Sequence, residues 1–258
     1  VYVSKPDFNP IFPKLEPMKY DYKKLTQDIL DKKVKWEDVR MYHNNTYTFS
    51  KSLAEHHFLN KIKNGVIVRP SMIGPSLKYP IPNWNNSIAG PVGYALSIFK
   101  GITRCILADE YYSLNIVPVD IVSSKIISIM SKKIENKRIF YSINNNNVSS
   151  FYNLTKIIEF SKYYSISNFP VRFLIVNKFT YIFVYIWQLI LKCINIKYYK
   201  MNKIIHNNYD FFTYNNWNFQ TEEVQQYNLN CKYTNFLLKS SYNYFNNGLN
   251  HYTIIGRK

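Results

Sequence analysis

Glycine is scarce in this chain. There are seven in 258 residues, and nowhere do they form Gly-x-Gly-x-x-Gly or a relative of it. Such a loop lets main-chain amides cradle a dinucleotide pyrophosphate at a helix N-terminus, so that half of a cofactor site is not written here. Cysteine is scarcer still. Cys105, Cys193 and Cys231 are odd in number and none stands in a Cys-x-x-Cys pair, which argues against a disulfide framework and for a reducing compartment. The five histidines show no metal-ligand spacing; the neighbours His56 and His57 point apart on a helix and read as surface or core residues. Acidic residues number 16 against 33 basic ones, a formal charge of +17. The lysines are scattered through an Asn-, Ile- and Tyr-rich composition without a basic block. Specific nucleic-acid recognition is therefore not indicated, whereas a basic surface suits phosphate-bearing molecules or acidic lipid. No signal peptide is visible. The opening Val1-Tyr2-Val3-Ser4 reads as a strand already in progress, and with the missing glycine loop it leads us to expect the C-terminal part of a longer protein.

Apolar residues make up 47% of the chain, enough for a real core and too many for a disordered segment. Lys5 to Pro17 holds four prolines and reads as a loop. Tyr22 to Asp31 reads as a helix, and a polar connector runs to Asn44. A second helix continues to about Lys63, where Asn64-Gly65 stops it. Val66 to Pro70 has the pattern of a strand buried on both faces of a parallel sheet. Helix, Asn-Gly and buried strand together make one turn of a βαβ unit. Leu77 to Gly93 reads as loop, with Trp84 either plugging it onto the core or lining a ligand entrance. Residues 93–101 read as a helix, Thr103 to Leu107 as a strand, Val119 to Lys132 as a helix with Pro118 at its first position, and Arg138 to Ile143 as a strand. Asp120 suits that helix's N-terminal dipole; it is either a charge-matched start or a functional carboxylate.

The fold class expected is α/β: the C-terminal part of a Rossmann-like parallel sheet over residues 1–147, then an all-helical domain over residues 148–258. In the second part, helices are expected over Phe151–Tyr163, Tyr198–Phe212 and Lys232–Asn246. Val171 to Ile196 is the most hydrophobic segment, but Asn177, Lys178, Gln188 and Lys192 interrupt it, so it is not a clean membrane span. Lys178, Tyr181, Tyr185, Gln188 and Lys192 line one narrow stripe, with apolar residues over the remaining arc. Such a helix is either buried in a bundle or lies in a bilayer interface.

Chemistry concentrates at Asn45-Thr46-Tyr47-Thr48-Phe49-Ser50-Lys51-Ser52-Leu53-Ala54-Glu55. Tyr47 and Lys51, four apart, share one helical face. An ammonium beside a phenol favours the phenolate, and a phenol held this way can pass a proton to a carbonyl oxygen as hydride arrives. Downstream, Arg69-Pro70-Ser71-Met72-Ile73-Gly74-Pro75-Ser76 sits at the carboxyl end of the strand, where open α/β sheets place ligands.

The Tyr47–Lys51 stretch resembles the working centre of short-chain dehydrogenases/reductases. With Val68 to Lys78, Pro80-Ile81-Pro82-Asn83-Trp84, Gly90-Pro91-Val92-Gly93, Lys100-Gly101-Ile102 and Ile116 to Val122, it resembles the alcohol-forming fatty acyl-CoA reductases, whose blocks these follow in order and spacing. Phe211-Phe212-Thr213-Tyr214-Asn215-Asn216-Trp217-Asn218-Phe219 resembles the short aromatic motif of their helical domain. The resemblance implies NADPH-dependent reduction of long-chain fatty acyl-CoA to a primary alcohol. It implies that Tyr47 protonates the carbonyl-derived oxygen, that Lys51 holds the nicotinamide ribose, that Ser4 polarises the carbonyl, and that Pro70, Ser71 and Ile73 bracket the nicotinamide. It also implies a membrane-associated protein on the cytosolic face of the endoplasmic reticulum or peroxisome. One departure stands out. After the first strand the family has Ser-Thr-Ala-Tyr, and this chain has Ser4-Lys5-Pro6-Asp7, with Lys5 in place of the Thr. Ser4 is thus either the hydroxyl donor or a strand-end residue, and a second reading of the chain is a catalytically inactive relic that binds membrane or a partner.

Overall fold

The computed structural model describes residues 7–108, 115–132, 139–144, 174–215 and 217–220. The expected strand at Val1–Ser4, the helices expected over Phe151–Tyr163 and Lys232–Asn246, and Cys231 lie outside the described residues. The first element departs from expectation. Within the proline-rich stretch read as loop, Asp7–Ile11 is a strand (β1), pairing in parallel with Trp217–Phe219 (β8) at the far end of the described chain. Pro10 has no N–H to give, which a two-stranded edge tolerates.

Three helices follow. Tyr22–Leu30 (α1) is capped by the Asp21 carboxylate, which accepts from Lys24 N at 2.8 Å. Trp36–Val39 (α2) is a short turn of helix in the stretch expected as connector. Thr46–Lys61 (α3) carries the Tyr–Lys motif. Asn45 caps it, its side-chain oxygen accepting from Thr48 N at 2.9 Å. Beyond α3 the chain turns tightly: a Cβ on Gly65 would fall 2.3 Å from the tip of the Phe58 ring, so a larger residue there would have to displace that side chain. Leu25, Val39 and Phe49 form the shared core of α1 to α3, and His57 Nε2 lies 2.7 Å from Thr26 Oγ1. His56 is buried, its Nε2 3.0 Å from the Glu16 carbonyl oxygen.

Ile67–Pro70 (β2) and Met72–Gly74 (β3) are one extended run broken at Ser71. β2 lies parallel to Ile139–Ser142 (β6), and β3 parallel to Ile116–Pro118 (β5). The run thus changes neighbour at Ser71. β2 is half-buried apart from Arg69, rather than buried on both faces as its apolar run suggested. Pro91–Phe99 (α4), with Pro91 at its first turn, packs almost wholly inside, and Gly101 at φ 67° ends it. Cys105–Leu107 (β4) pairs in parallel with Leu174–Val176 (β7). Val119–Met130 (α5) follows β5 directly, with Pro118 as its cap residue.

Two long helices complete the described chain, Ile182–Ile194 (α6) and Ile196–Thr213 (α7). The architecture is therefore α/β with short parallel strand pairs followed by helices, as expected from the sequence. The late segment does more than stack, because β7 and β8 pair with β4 and β1. Its helices also hold the earlier chain through buried polar groups. Asn202 Nδ2 and Trp187 Nε1 both donate to the Ile102 carbonyl, at 2.8 and 2.9 Å. Thr213 Oγ1 donates to Leu107 O at 2.7 Å. The aromatic motif packs not between helices alone but around β1 and β6, where Trp217 and Phe219 join Ile11, Tyr141 and Ile143.

The contact that fixes α3 against the sheet is ionic. Arg69 on β2 donates from Nε and Nη2 to the two Glu55 oxygens at 2.9 and 2.6 Å, with the Arg69 side chain 2% exposed. Burial opposes the charge on Arg69, but the bond and charge of Glu55 and the nearby Tyr141 outweigh it and raise the Arg69 pKa. Removing one member of such a pair strands the other and costs about 3–5 kcal/mol. Urea unfolding of Glu55→Ala is expected to show a loss of about that size, and the double variant Glu55→Ala/Arg69→Met a smaller one. Equal losses in both would contradict the pairing.

Candidate active site

Tyr47, Lys51 and Glu55 lie four apart along α3 and so form one ridge. A helix rises about 1.5 Å per residue, so Tyr47 stands about 12 Å along the axis from the carboxylate that Arg69 grips. The ridge runs from a buried, ion-paired end to an open one: Tyr47 is 68% exposed. Lys51 Nζ stands over the Tyr47 ring, 5.6 Å from its centroid. The two groups expected to share a face do share it, and both are open to a ligand.

The strand end carries the other residues expected at the site. Ser71 is buried at the point where the extended run changes neighbour, its N–H donating to Ser142 O at 3.0 Å. Among the described residues its hydroxyl is buried with no hydrogen-bond partner, as is that of Ser142. A buried hydroxyl without a partner is costly unless something satisfies it. Pro70 is half-buried and Ile73 is 43% exposed. Ser4 lies outside the described residues, so the expected carbonyl-polarising hydroxyl has no position here.

Ile73 and Gly74 also line a cavity of about 310 Å³ with Trp84, Asn85, Gly90 and Val119. Trp84 is half-buried and combines the two roles considered for it, closing the loop while facing the cavity. Ser76, fully buried, holds it there: Ser76 N donates to Trp84 O and Trp84 N donates to Ser76 Oγ, both at 3.0 Å. Asp120 fixes the same loop from below. Its carboxylate accepts from the amides of Leu77, Lys78 and Tyr79 at 2.9, 2.8 and 3.1 Å, so it anchors the loop as well as starting α5. On the far side, Tyr209 of α7 donates to the Gly90 carbonyl at 2.6 Å. Gly90 sits at φ 69°, a conformation glycine adopts without strain.

The start of α3 rests on a buried histidine. The Thr48 hydroxyl donates to Asn45 O, which leaves its oxygen to accept from His43 Nδ1 at 3.2 Å. Burial pushes the His43 pKa down to about 4, so the ring is neutral at physiological pH. Neither this support nor the Glu55–Arg69 pair nor the Asp120 anchor was identified from sequence. Glu55 at two turns from Tyr47 is the one with a visible signal, since it continues the Tyr–Lys ridge.

With this geometry in place, comparison with known proteins is direct. Residues 2–126 match the NAD-binding family described as male sterility protein. A putative fatty acyl-CoA reductase of Drosophila melanogaster is 44% identical over 89 residues, 33% of this chain and 17% of that protein. Fatty acyl-CoA reductase 1 of Homo sapiens is 41% identical over 80 residues, 30% of this chain and 16% of that protein. Probable fatty acyl-CoA reductase 5 of Arabidopsis thaliana is 34% identical over 91 residues, 34% of this chain and 18% of that protein. The matched stretch is less than a fifth of the length of each of these relatives. The resemblance to fatty acyl-CoA reductases that the motifs carry is borne out over this part of the chain, and the matching family is one that binds a nicotinamide dinucleotide.

The His43 ring sets a pH test. Its folded pKa, about 4, lies below the ordinary value near 6.5. The unfolded chain therefore takes up a proton between those values and the folded chain does not. Stability is unaffected above about pH 6.5 and falls as pH drops towards 4, by roughly 3 kcal/mol from this group. Urea midpoints across that range should fall more steeply for the wild type than for His43→Phe; parallel slopes would contradict a neutral buried ring.

Proposed function

We propose that the protein reduces long-chain fatty acyl-CoA with NADPH to a primary alcohol, releasing coenzyme A, and that this chain supplies the proton donor and the nicotinamide wall of the site. The observation that carries the reading is the exposed Tyr47–Lys51 ridge, tied through Glu55 and Arg69 to the strand that ends in Pro70 and Ser71. Tyr47 and Lys51 would hold the nicotinamide ribose, and Pro70, Ser71 and Ile73 the ring. When bound, NADPH would supply hydride, one equivalent for the thioester carbonyl with loss of coenzyme A and a second for the aldehyde. Tyr47 would give its proton to the oxygen that becomes the alcohol, with the Lys51 ammonium beside it favouring the phenolate left behind. Ser4 would polarise the carbonyl. The Trp84 cavity suits part of an acyl chain, being walled by Ile73, Val119 and the indole.

The departure at Lys5-Pro6-Asp7 favours a second reading, a non-catalytic relic that keeps the fold and a binding surface. The two readings separate on turnover. NADPH oxidation and alcohol formation from a long-chain acyl-CoA should be measured on the longest form the gene encodes. Activity is expected, and Tyr47→Phe should lower kcat about 10²–10⁴-fold without changing the melting temperature. An inactive wild type supports the relic; an active Tyr47→Phe removes the proton donor.

Membrane association belongs to the same proposal. Among the described residues no helix is long and apolar enough to cross a membrane. α6, however, buries Val184 and Leu191 and leaves Ile182, Phe183, Ile186, Leu189 and Ile194 exposed. Lys178, Lys192, Lys197, Lys200 and Lys203 are exposed around this face, while the single acid in α6 and α7, Asp210, is buried. A helix of this kind lies in a bilayer interface and favours acidic lipid, which supports membrane association; the cytosolic face of the endoplasmic reticulum or peroxisome is the placement the resemblance implies. Sedimentation with anionic vesicles is expected to fall about tenfold for Ile186→Asp/Leu189→Asp; unchanged sedimentation would exclude this face.

A further inference from the structure

A second cavity, of about 540 Å³, opens where the N-terminal end of α3 meets α7. Asn44 and Asn45 line it from the first side, and Lys178, Tyr181, His206 and Asp210 from the other. Its polar groups are organised around one carboxylate. Asp210 accepts from Tyr181 Oη at 2.6 Å and from His206 Nδ1 at 2.9 Å. Both of its oxygens lie within 3.0 Å of that imidazole nitrogen, so the negative charge is committed to donors inside the fold. His206 is 3% exposed, and its Nε2 is buried without a partner among the described residues. With Nδ1 held by Asp210, Nε2 is the imidazole nitrogen left for a ligand. Lys178 Nζ lies 5.0 Å from the centre of the Tyr214 ring at the cavity wall and has no carboxylate within ion-pair reach among the described residues.

We propose that this cavity binds a phosphate group. Three features favour an anion there. An imidazole whose Nδ1 is engaged by a carboxylate leaves Nε2 to meet the ligand, accepting from a P–O–H group or donating to a phosphate oxygen. An ammonium stands on the same wall. A sixteen-residue helix directs its N-terminal end at the space. A tetrahedral oxyanion accepts from several donors at once, as this arrangement requires. Two sources carry such a group: the nucleotide end of coenzyme A, which would rest on the proposed reductase reading, and the headgroup of an acidic phospholipid, which would join the cavity to the exposed α6 face. Asn45, which lines the cavity, caps the helix that carries the ridge, so occupancy would be felt at the start of that helix.

The test is binding of three probes to the purified chain by calorimetry: inorganic phosphate, adenosine 3′,5′-bisphosphate, and phosphatidic acid vesicles against phosphatidylcholine vesicles. Saturable binding of at least one phosphate probe is expected, weakened about tenfold in Lys178→Met and little changed in Lys61→Met, a lysine exposed at the C-terminal end of α3. His206→Gln, if it melts like the wild type, should weaken binding similarly; if it does not fold, Lys178→Met decides alone. Preference for the bisphosphate assigns the nucleotide source, and preference for phosphatidic acid assigns the headgroup. Absence of saturable binding to every probe would overturn the proposal, as would equal weakening in both lysine variants, which marks diffuse attraction to a basic surface. None of these readouts needs turnover, so failure here leaves the reductase reading intact.

Discussion

The Glu55–Arg69 pair is the constraint on which the site depends. A helix and a strand next to each other in sequence can slide or rotate on apolar contacts, which are non-directional. A bidentate guanidinium–carboxylate contact is not so tolerant, because two parallel hydrogen bonds fix distance and orientation together. Here that contact is buried at the base of the ridge, at 2.6 and 2.9 Å. It sets which face of α3 turns towards β2, and with it the bearing of Lys51 and Tyr47, one and two turns away on the same ridge. A buried ion pair is weak evidence for net stability. Its value here is directional, since an exposed phenol is useful only if it faces a fixed wall.

The wall is held with the same economy of means. One carboxylate, Asp120, ties down three consecutive amides of the loop after β3. One hydroxyl, Ser76, locks Trp84. Tyr209 reaches from α7 to the Gly90 carbonyl and stacks on Tyr94, ring centres 4.8 Å apart. The late helices thus form part of the support of the early site. Their buried polar contacts on Ile102 and Leu107 satisfy carbonyls next to β4 that would otherwise be stranded in the core. A substitution in α7 far from Tyr47 can therefore disturb the Trp84 cavity through Gly90.

Sequence made local features legible and left distant ones obscure. Helix α3 could be read from its Tyr–Lys spacing and the Asn64-Gly65 stop, because each acts within a few residues. The partial Rossmann-like character was legible for the same reason: a helix, a tight turn and a short apolar strand repeat locally. β1 was not, since four prolines argue for loop, and only the partner strand Trp217–Phe219, distant in sequence, makes Asp7–Ile11 extended. Likewise β2 read as doubly buried from its apolar run, although burial depends on what covers it. Arg69 stood in plain view in the motif, but no spacing rule connects it to Glu55 across a turn. The exposed arc of α6 was half legible: the narrow polar stripe is in the sequence, while which side faces inward is decided by Val184 packing with Cys105, Leu107 and Val176. The functional resemblance rested on the order of several motifs, which is why it held over the matched residues when a lone Tyr-x-x-x-Lys would not have sufficed.

The most direct test of the central claim is a crystal structure of the protein with its nicotinamide cofactor bound. The account predicts the ring against Pro70, Ser71 and Ile73, the ribose within hydrogen-bond range of both the Tyr47 hydroxyl and the Lys51 amine, and the Glu55–Arg69 pair intact beneath them. A cofactor seated elsewhere, or a ridge turned away from the ribose, would contradict it.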